Sequence, residues 1–286
     1  MKTLLPALFF AFSVNLVPSA PATLPASLER ALAGHDPFAL ADSTLPRLSQ
    51  LGAAQRGALA ERLSSWKTPQ RVAAWAFLQV GMPYELGPLG EEAPPDTQPV
   101  IAFKTTDCAV MNLTAAALAH APKAGGERAA MALANYRDGV IAYATRFHFT
   151  TDRLDSSPYY GDITRRVGGS AVRHRVVTLN RRKDGSRWIP IDWDKRREVY
   201  YLPRSWVSHF SSAYAQGKIP DAMGVAFVDT SRMSDGLDVV HESLLWKGRT
   251  LLHASSRTGR VVTLPLTEYL QGPGRGFDGF VLFEYR

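Results

Sequence analysis

Three residues of this chain could do chemistry together: Cys108, His241 and His253. Cys108 is the only cysteine in 286 residues. It follows Thr105, Thr106 and Asp107, each able to cap a helix, and it opens the helix-favouring run CAVMNLTAAALAH. This predicts a thiol in a first helical turn, where unpaired N–H groups and the helix dipole favour the thiolate. A buried, inert cysteine fits that stretch alone equally well. His241 and His253 lie twelve residues apart in LDVVHESLLW and RTLLHASS, two strand-like runs joined by Lys247-Gly248-Arg249. With a three-residue turn, Trp246 pairs with Thr250, Ser243 faces His253, and the histidines become diagonal neighbours on one face. A two-residue turn would put them on opposite faces. A thiol nucleophile needs a base to take its proton, and the base needs a third group to fix its tautomer. Cys108, His241 and His253 can fill those roles in that order. A Cys/His/His zinc site without an obvious fourth ligand, or two structural histidines on half-buried strands, are the competing readings.

The elements that must position these residues divide by sequence pattern. Leu24 to about Ser65 keeps helical spacing, and a further helix over Gln70 to Val80 begins beside Pro69 and stops at Gly81. The Gly- and Pro-rich stretch GMPYELGPLGEEAPPDTQPV is a loop leading to the Cys108 helix, and Ala129 to Thr145 again reads as helix. RFHFTTDRLDSSPYYGDITRRVGG has no sustained period and reads as a polar, aromatic loop lining a groove. From Arg173 onward the pattern turns to strands. HRVVTLNRRKDGSRWIPIDW is expected to be a hairpin turning at Lys183-Asp184-Gly185, followed by VYYLPR and a helix-like piece over Ser205 to Gln216. The last third contributes five short strands. Helices first and antiparallel strands second make an α+β layout.

The chain carries a net charge of +7 with 45% hydrophobic residues, an ordinary globular composition with a bias toward anionic partners. No RNA- or DNA-reading motif accompanies the charge, so nucleic acid is not the expected partner. The start, one lysine followed by LLPALFFAFSVNLV and a small-residue site at Ala20-Pro21-Ala22, reads as a secretory signal over residues 1–22. Cleavage after Ala22 would export the mature protein, periplasmic or secreted, without a stable membrane anchor. A lone cysteine in an oxidising compartment forms no intramolecular disulfide and is either inert or kept for chemistry.

In combination, GMPYELG, the TTDC helix, YRDGVIAYATRFHFTTDRLD, YYGDIT, VYYLP, GLDVVHESLLW, LLHASSRTGRVV and PLTEYL resemble the NlpC/P60 peptidoglycan hydrolases. More narrowly, they resemble the amidase branch long known as DUF1460. The resemblance runs from about Val72 to Tyr285. It implies a papain-like fold over residues 69–286 behind an N-terminal helical region over 23–68. It also implies a cysteine-dependent N-acetylmuramoyl-L-alanine amidase acting on muropeptides without metal or organic cofactor. An endopeptidase cutting within the stem peptide, or a wall-binding module that has lost catalysis, are the alternatives. By position, Cys108 is the nucleophile, His241 the general base and acid, and His253 the orienting residue. Tyr84 and Asp107 fall beside the oxyanion and substrate site, and Arg146, His148, Asp152, Tyr159 and Tyr160 are expected to hold the muropeptide. The sequence departs from the family at Glu242 and Ser243, where small apolar residues are usual. Glu242 is expected to point away from the His241 face.

Overall fold

The structure is a computed structural model that describes residues 23–90, 93–96, 100–121 and 125–286. The predicted signal segment, residues 1–22, lies outside the described residues. The helices are α1 (Ala26–Ala33), α2 (Ala53–Leu63), α3 (Thr68–Phe77), α4 (Cys108–His120), α5 (Glu127–Asn135), α6 (Thr150–Ser156), α7 (Thr164–Gly168), α8 (Phe210–Ala215), α9 (Thr230–Met233) and α10 (Leu266–Gln271). The strands are β1 (Tyr160–Asp162), β2 (Arg173–Leu179), β3 (Lys195–Pro203), β4 (Ala222–Val228), β5 (His241–Trp246), β6 (Thr250–Ser255), β7 (Arg260–Pro265) and β8 (Gly279–Tyr285). They form one antiparallel sheet in the order β2-β3-β8-β4-β5-β6-β7, with β1 paired to β8.

Alternation along the strands sorts the core into two layers. On one side Ala222, Ala226, Leu244, Leu252, Val281 and Phe283 pack with the helices α1 to α5. On the other, Met223, Val225, Leu245, Leu251 and Leu282 pack under Leu266, Tyr269 and Leu270 of α10. Helix α4 is the centre of the first layer. Its residues Val110 to Ala119 are all buried, because the helix is enclosed by α3, α5, β5 and β6. Alanines at 115, 116, 117 and 119 let those neighbours approach closely, and a helix apolar all round is stable only in such a place. The N-terminal helices join the same layer through Leu28, Leu32, Leu59 and Leu63.

Three expectations are corrected. The helix over Ala129 to Thr145 stops at Asn135, where Tyr136 takes extended backbone (φ −132°, ψ 143°), and the chain continues as two 3₁₀ turns through Asp138 and Gly139 at positive φ (55° and 70°). The polar stretch after Arg146 is not a loop but contains α6, β1 and α7; β1 pairs with the C-terminal half of β8, whose N-terminal end pairs with β3. The expected turn at Lys183-Asp184-Gly185 forms, closed by the Arg181–Arg187 bridge, but it lies within a longer loop and does not itself join the paired strands. β2 ends at Leu179, just before Asn180 at φ 69°, and β3 starts only at Lys195. Asn180 organises the intervening loop, accepting from Ile189 N–H and donating to the carbonyls of Ile191 and Trp193. In that loop Asp192 pairs with Arg187 and Asp194 with Arg181.

Candidate active site

The turn between β5 and β6 decides whether the histidines can meet, and it holds three residues. Trp246 pairs with Thr250, while Lys247 and Gly248 both take positive φ (48° and 63°). A side chain at position 248 would be strained there, and its Cβ would come within 2.6 Å of the Phe210 carbonyl oxygen. The resulting register puts His241 and His253 on one face. His241 Nε2 lies 3.0 Å from His253 Nδ1, with the rings nearly perpendicular at 89°. A His241 Nε2–H that donates to His253 Nδ1 leaves His241 Nδ1 as the basic nitrogen.

Cys108 opens α4, and its cap is Asp107. The Asp107 Oδ1 accepts from the N–H groups of Ala109 and Val110 at 2.9 and 2.8 Å, and Oδ2 accepts from Gly87 N–H at 3.2 Å. This leaves the Cys108 N–H outside the cap. The helix start reaches β5 where that strand parts from β6. Their ladder stops at Leu244 opposite Leu252, and the freed backbone N–H of Glu242 lies against the Cys108 sulfur, where it favours the thiolate. The nucleophile candidate is thus set against the residue immediately after His241.

The electrostatics differ from the activated thiolate expected of a helix start. Burial pushes the Cys108 thiol up to about 12, reinforced by the negative charges of Asp107 and Glu242, and the N–H groups of Glu242 and Ala109 offset only part of this. Burial lowers His241 to about 3, with His253 adding to the effect, and lowers His253 to about 4. Phe227, Tyr269 and Phe277 wall the His241 ring, and Tyr269 sits edge-on to His253 at 4.8 Å. Thiol and imidazoles therefore rest neutral at pH 7, and an isolated thiolate is disfavoured until its proton has an acceptor. Alkylation of Cys108 by iodoacetamide is expected to be much slower at pH 7 than for a free cysteine, and to keep rising with pH through 10. A rate at pH 7 matching free cysteine would refute the neutral resting state.

Behind this site lies a buried polar cluster that the sequence reading missed. Glu242 points to the opposite face from His241, as its strand position requires, but it faces protein rather than solvent. Its carboxylate accepts from Arg153 through both oxygens (2.6 and 2.7 Å), from Thr150 Oγ1 at 2.6 Å and from Asn112 Nδ2 at 3.3 Å. Asn112, one turn beyond Cys108, accepts in turn from the Tyr285 hydroxyl at 3.1 Å. The cluster ties α4, α6, β5 and β8 together directly beneath the catalytic candidates. A charged residue in an otherwise apolar strand and an asparagine in an alanine-rich helix were its only traces in the sequence.

The other predicted residues sort by place. Tyr84 stands beside the nucleophile segment: its backbone bridges Thr106 and its N–H donates to Gly259 O at 2.9 Å. Asp107 accepts from three backbone N–H groups and caps the helix. The five residues expected to hold a muropeptide each have partners within the fold. Arg146 grips Asp96 through two nitrogens and donates to Leu89 O, pinning the loop that leads to Cys108. His148 bonds to the Tyr143 carbonyl, and burial lowers it to about 4. Asp152 is surrounded by Arg137, Lys195 and Arg197 at 2.9 to 3.1 Å; burial works the other way, but these cations hold its carboxyl below the ordinary range. Tyr160 is fully buried between Phe283, Tyr285 and the Arg153 guanidinium. Tyr159 stacks on His120 at 3.9 Å, at the far end of α4, roughly 18 Å from Cys108 at 1.5 Å per helical residue. Among the described residues, no group of three or more His, Cys, Asp or Glu is arranged to hold a metal ion, and no helix is long and apolar enough to cross a membrane.

The model of the AmiA-like family, described as N-acetylmuramoyl-L-alanine amidase-like, matches residues 74–275 and so includes all three candidates. The chain belongs to this AmiA-like family. Among solved structures it is similar to a DUF1460-family protein from Legionella pneumophila strain Philadelphia 1, at 19% identity and a TM-score of 0.65, over 82% of this chain and 94% of that one. It is also similar to an N-acetylmuramoyl-L-alanine amidase from Bacteroides uniformis, at 18% identity and a TM-score of 0.57, over 77% of this chain and 99% of that one. At such identities the likeness shows a shared mixed α/β fold with an antiparallel sheet. No protein of curated function matches. Membership in this amidase-like family points to a hydrolase.

Proposed function

We propose that this chain is a cysteine-dependent N-acetylmuramoyl-L-alanine amidase of the papain-like NlpC/P60 type. It would be exported after cleavage at Ala22 and would act on muropeptides, with residues 69–286 as the catalytic unit behind a helical region over 23–68. The observation that carries the reading is the His241 Nε2 to His253 Nδ1 contact of 3.0 Å, on the strand whose Glu242 N–H lies against the Cys108 sulfur. The amidase-like family and the likeness to the Bacteroides uniformis N-acetylmuramoyl-L-alanine amidase support the choice of bond.

In this mechanism Cys108 Sγ attacks the lactyl carbonyl as its proton passes to His241 Nδ1. His253 accepts from His241 Nε2–H and stabilises the imidazolium. The Cys108 N–H, outside the Asp107 cap, is placed to donate to the oxyanion. The imidazolium then protonates the departing amine of the first peptide residue, leaving a thioester. Water attacks the thioester with His241 as base, releasing the lactyl carboxylate and returning the thiol. No step requires a metal.

The test is to incubate the chain from Thr23 onward, beside Cys108→Ala, with defined muropeptides and to weigh the products. Intact free stem peptide from the native chain and none from the variant is the expected result. A cut inside the peptide would move the bond and make the enzyme an endopeptidase. No cut by either would refute the proposal.

A further inference from the structure

We propose that Arg260 is a specificity residue that binds a peptide carboxylate of the substrate next to the scissile amide. The inference rests on the amidase reading and adds the charge of the ligand that the site selects. Along β6 and β7, His253 lies opposite Val262 and Ser255 opposite Arg260. Residues opposite one another across an antiparallel pair project from the same face, and so do residues two apart on a strand. The Arg260 side chain therefore leaves the sheet on the face that carries His253 and His241. It stands on the diagonal from His253, a spacing of about 7–8 Å between backbones that a long side chain spans.

The start of β7 is also fastened to the segment that precedes the nucleophile. Pro83 bridges Arg260, Tyr84 N–H donates to Gly259 O at 2.9 Å, and Tyr84 bridges Thr106, two residues before Cys108. Arg260 thus flanks the gap between the histidine face and the Cys108 loop. It is exposed, and among the described residues no carboxylate forms an ion pair with it. This contrasts with Arg146 and Arg153, whose charges are neutralised inside the fold.

A guanidinium presents a planar fork that matches a carboxylate with two parallel hydrogen bonds. In a muropeptide the residue after the first alanine is D-glutamate, whose α-carboxylate is an anion close to the bond being cut. Two extended residues span about 7 Å, the same scale as the diagonal from His253 to Arg260. With Cys108 and His241 on the amide, that carboxylate is the anion the proposal assigns to Arg260.

The experiment measures binding, so that it does not depend on turnover. The Cys108→Ala chain is titrated with N-acetylmuramoyl-L-Ala-D-Glu and with the same compound bearing the α-carboxylate as an amide. The acid is expected to bind about tenfold more tightly than the amide, as one charge-assisted pair allows. Adding Arg260→Gln should erase that preference while leaving affinity for the amide unchanged. Arg260→Lys should restore part of it, and Arg257→Gln, which removes a charge from the adjacent turn, should preserve it. An unchanged preference in Arg260→Gln, equal weakening of both ligands, or an equal effect of Arg257→Gln would overturn the assignment. Equal binding of acid and amide by the Cys108→Ala chain, with native cleavage intact, would overturn the assignment alone. Binding of neither, with no native cleavage, would overturn the amidase reading together with it.

Discussion

Arg153→Met is expected to cost about 3–5 kcal/mol of stability, the scale for breaking one side of a buried ion pair. The cost arises because the variant leaves the Glu242 carboxylate in the core with only Thr150 and Asn112 as donors. Both members of the pair have side chains only 3% exposed, so solvent cannot replace the lost charge. Urea unfolding of the variant should show the loss as a lower midpoint with an unchanged slope. The double variant Arg153→Met, Glu242→Gln should recover much of it, since the buried charge then goes with its partner. A single variant as stable as the native chain would mean that water reaches Glu242 and that the cluster is not a buried anchor. The cluster's position gives the result a functional side. It joins the Cys108 helix to the His241 strand, so loosening it should lower turnover even where the variant remains folded.

His241→Ala is expected to lower hydrolysis by about 10⁴-fold, the upper range for loss of a general acid–base group. His253→Asn should lower it less, because asparagine can still accept from His241 Nε2–H and hold the ring. The difference follows from the neutral resting state of the site. With the thiol near 12 and His241 near 3, neither group is charged in advance, and attack depends on a correctly aimed base at the moment the proton moves. Single-turnover release of stem peptide by the two variants, both checked for native unfolding midpoints, measures this. Equal losses from both, or a larger loss from His253→Asn, would invert the roles assigned to them.

Much of the frame was legible along the chain. Asp107 before a run of alanines forecast a capped helix opening at Cys108, because capping needs only local chemistry: a short acceptor side chain and free N–H groups two and three residues on. The β5–β6 hairpin was legible for a similar reason, from Lys247-Gly248-Arg249 between alternating runs, but its turn length was not. Two or three residues put the histidines on opposite faces or on one, and the register of Trp246 opposite Thr250 decides for one face. The five short C-terminal strands came from the same periodicity.

Where long-range partners decide, the sequence was silent or misleading. Asp152, Tyr160 and Arg146 looked like ligands because polar and aromatic residues clustered in one stretch. Their partners (Lys195 and Arg197, Phe283 and Tyr285, and Asp96) lie tens to more than a hundred residues away and absorb them into the fold. Glu242 was read correctly as facing away from His241, but only the packing of α6 and α4 against β5 shows that it is buried and paired. The charge state of the thiol was likewise beyond local reasoning. A helix start favours the thiolate, whereas desolvation by the surrounding fold and two nearby carboxylates opposes it, and those terms exist only once the chain is folded. By itself the sequence determined the local geometry of each element and the residue types at the site. Tertiary structure decided which of those residues meet, which are consumed by internal partners, and which charge each carries, because burial and long-range pairing set those energies.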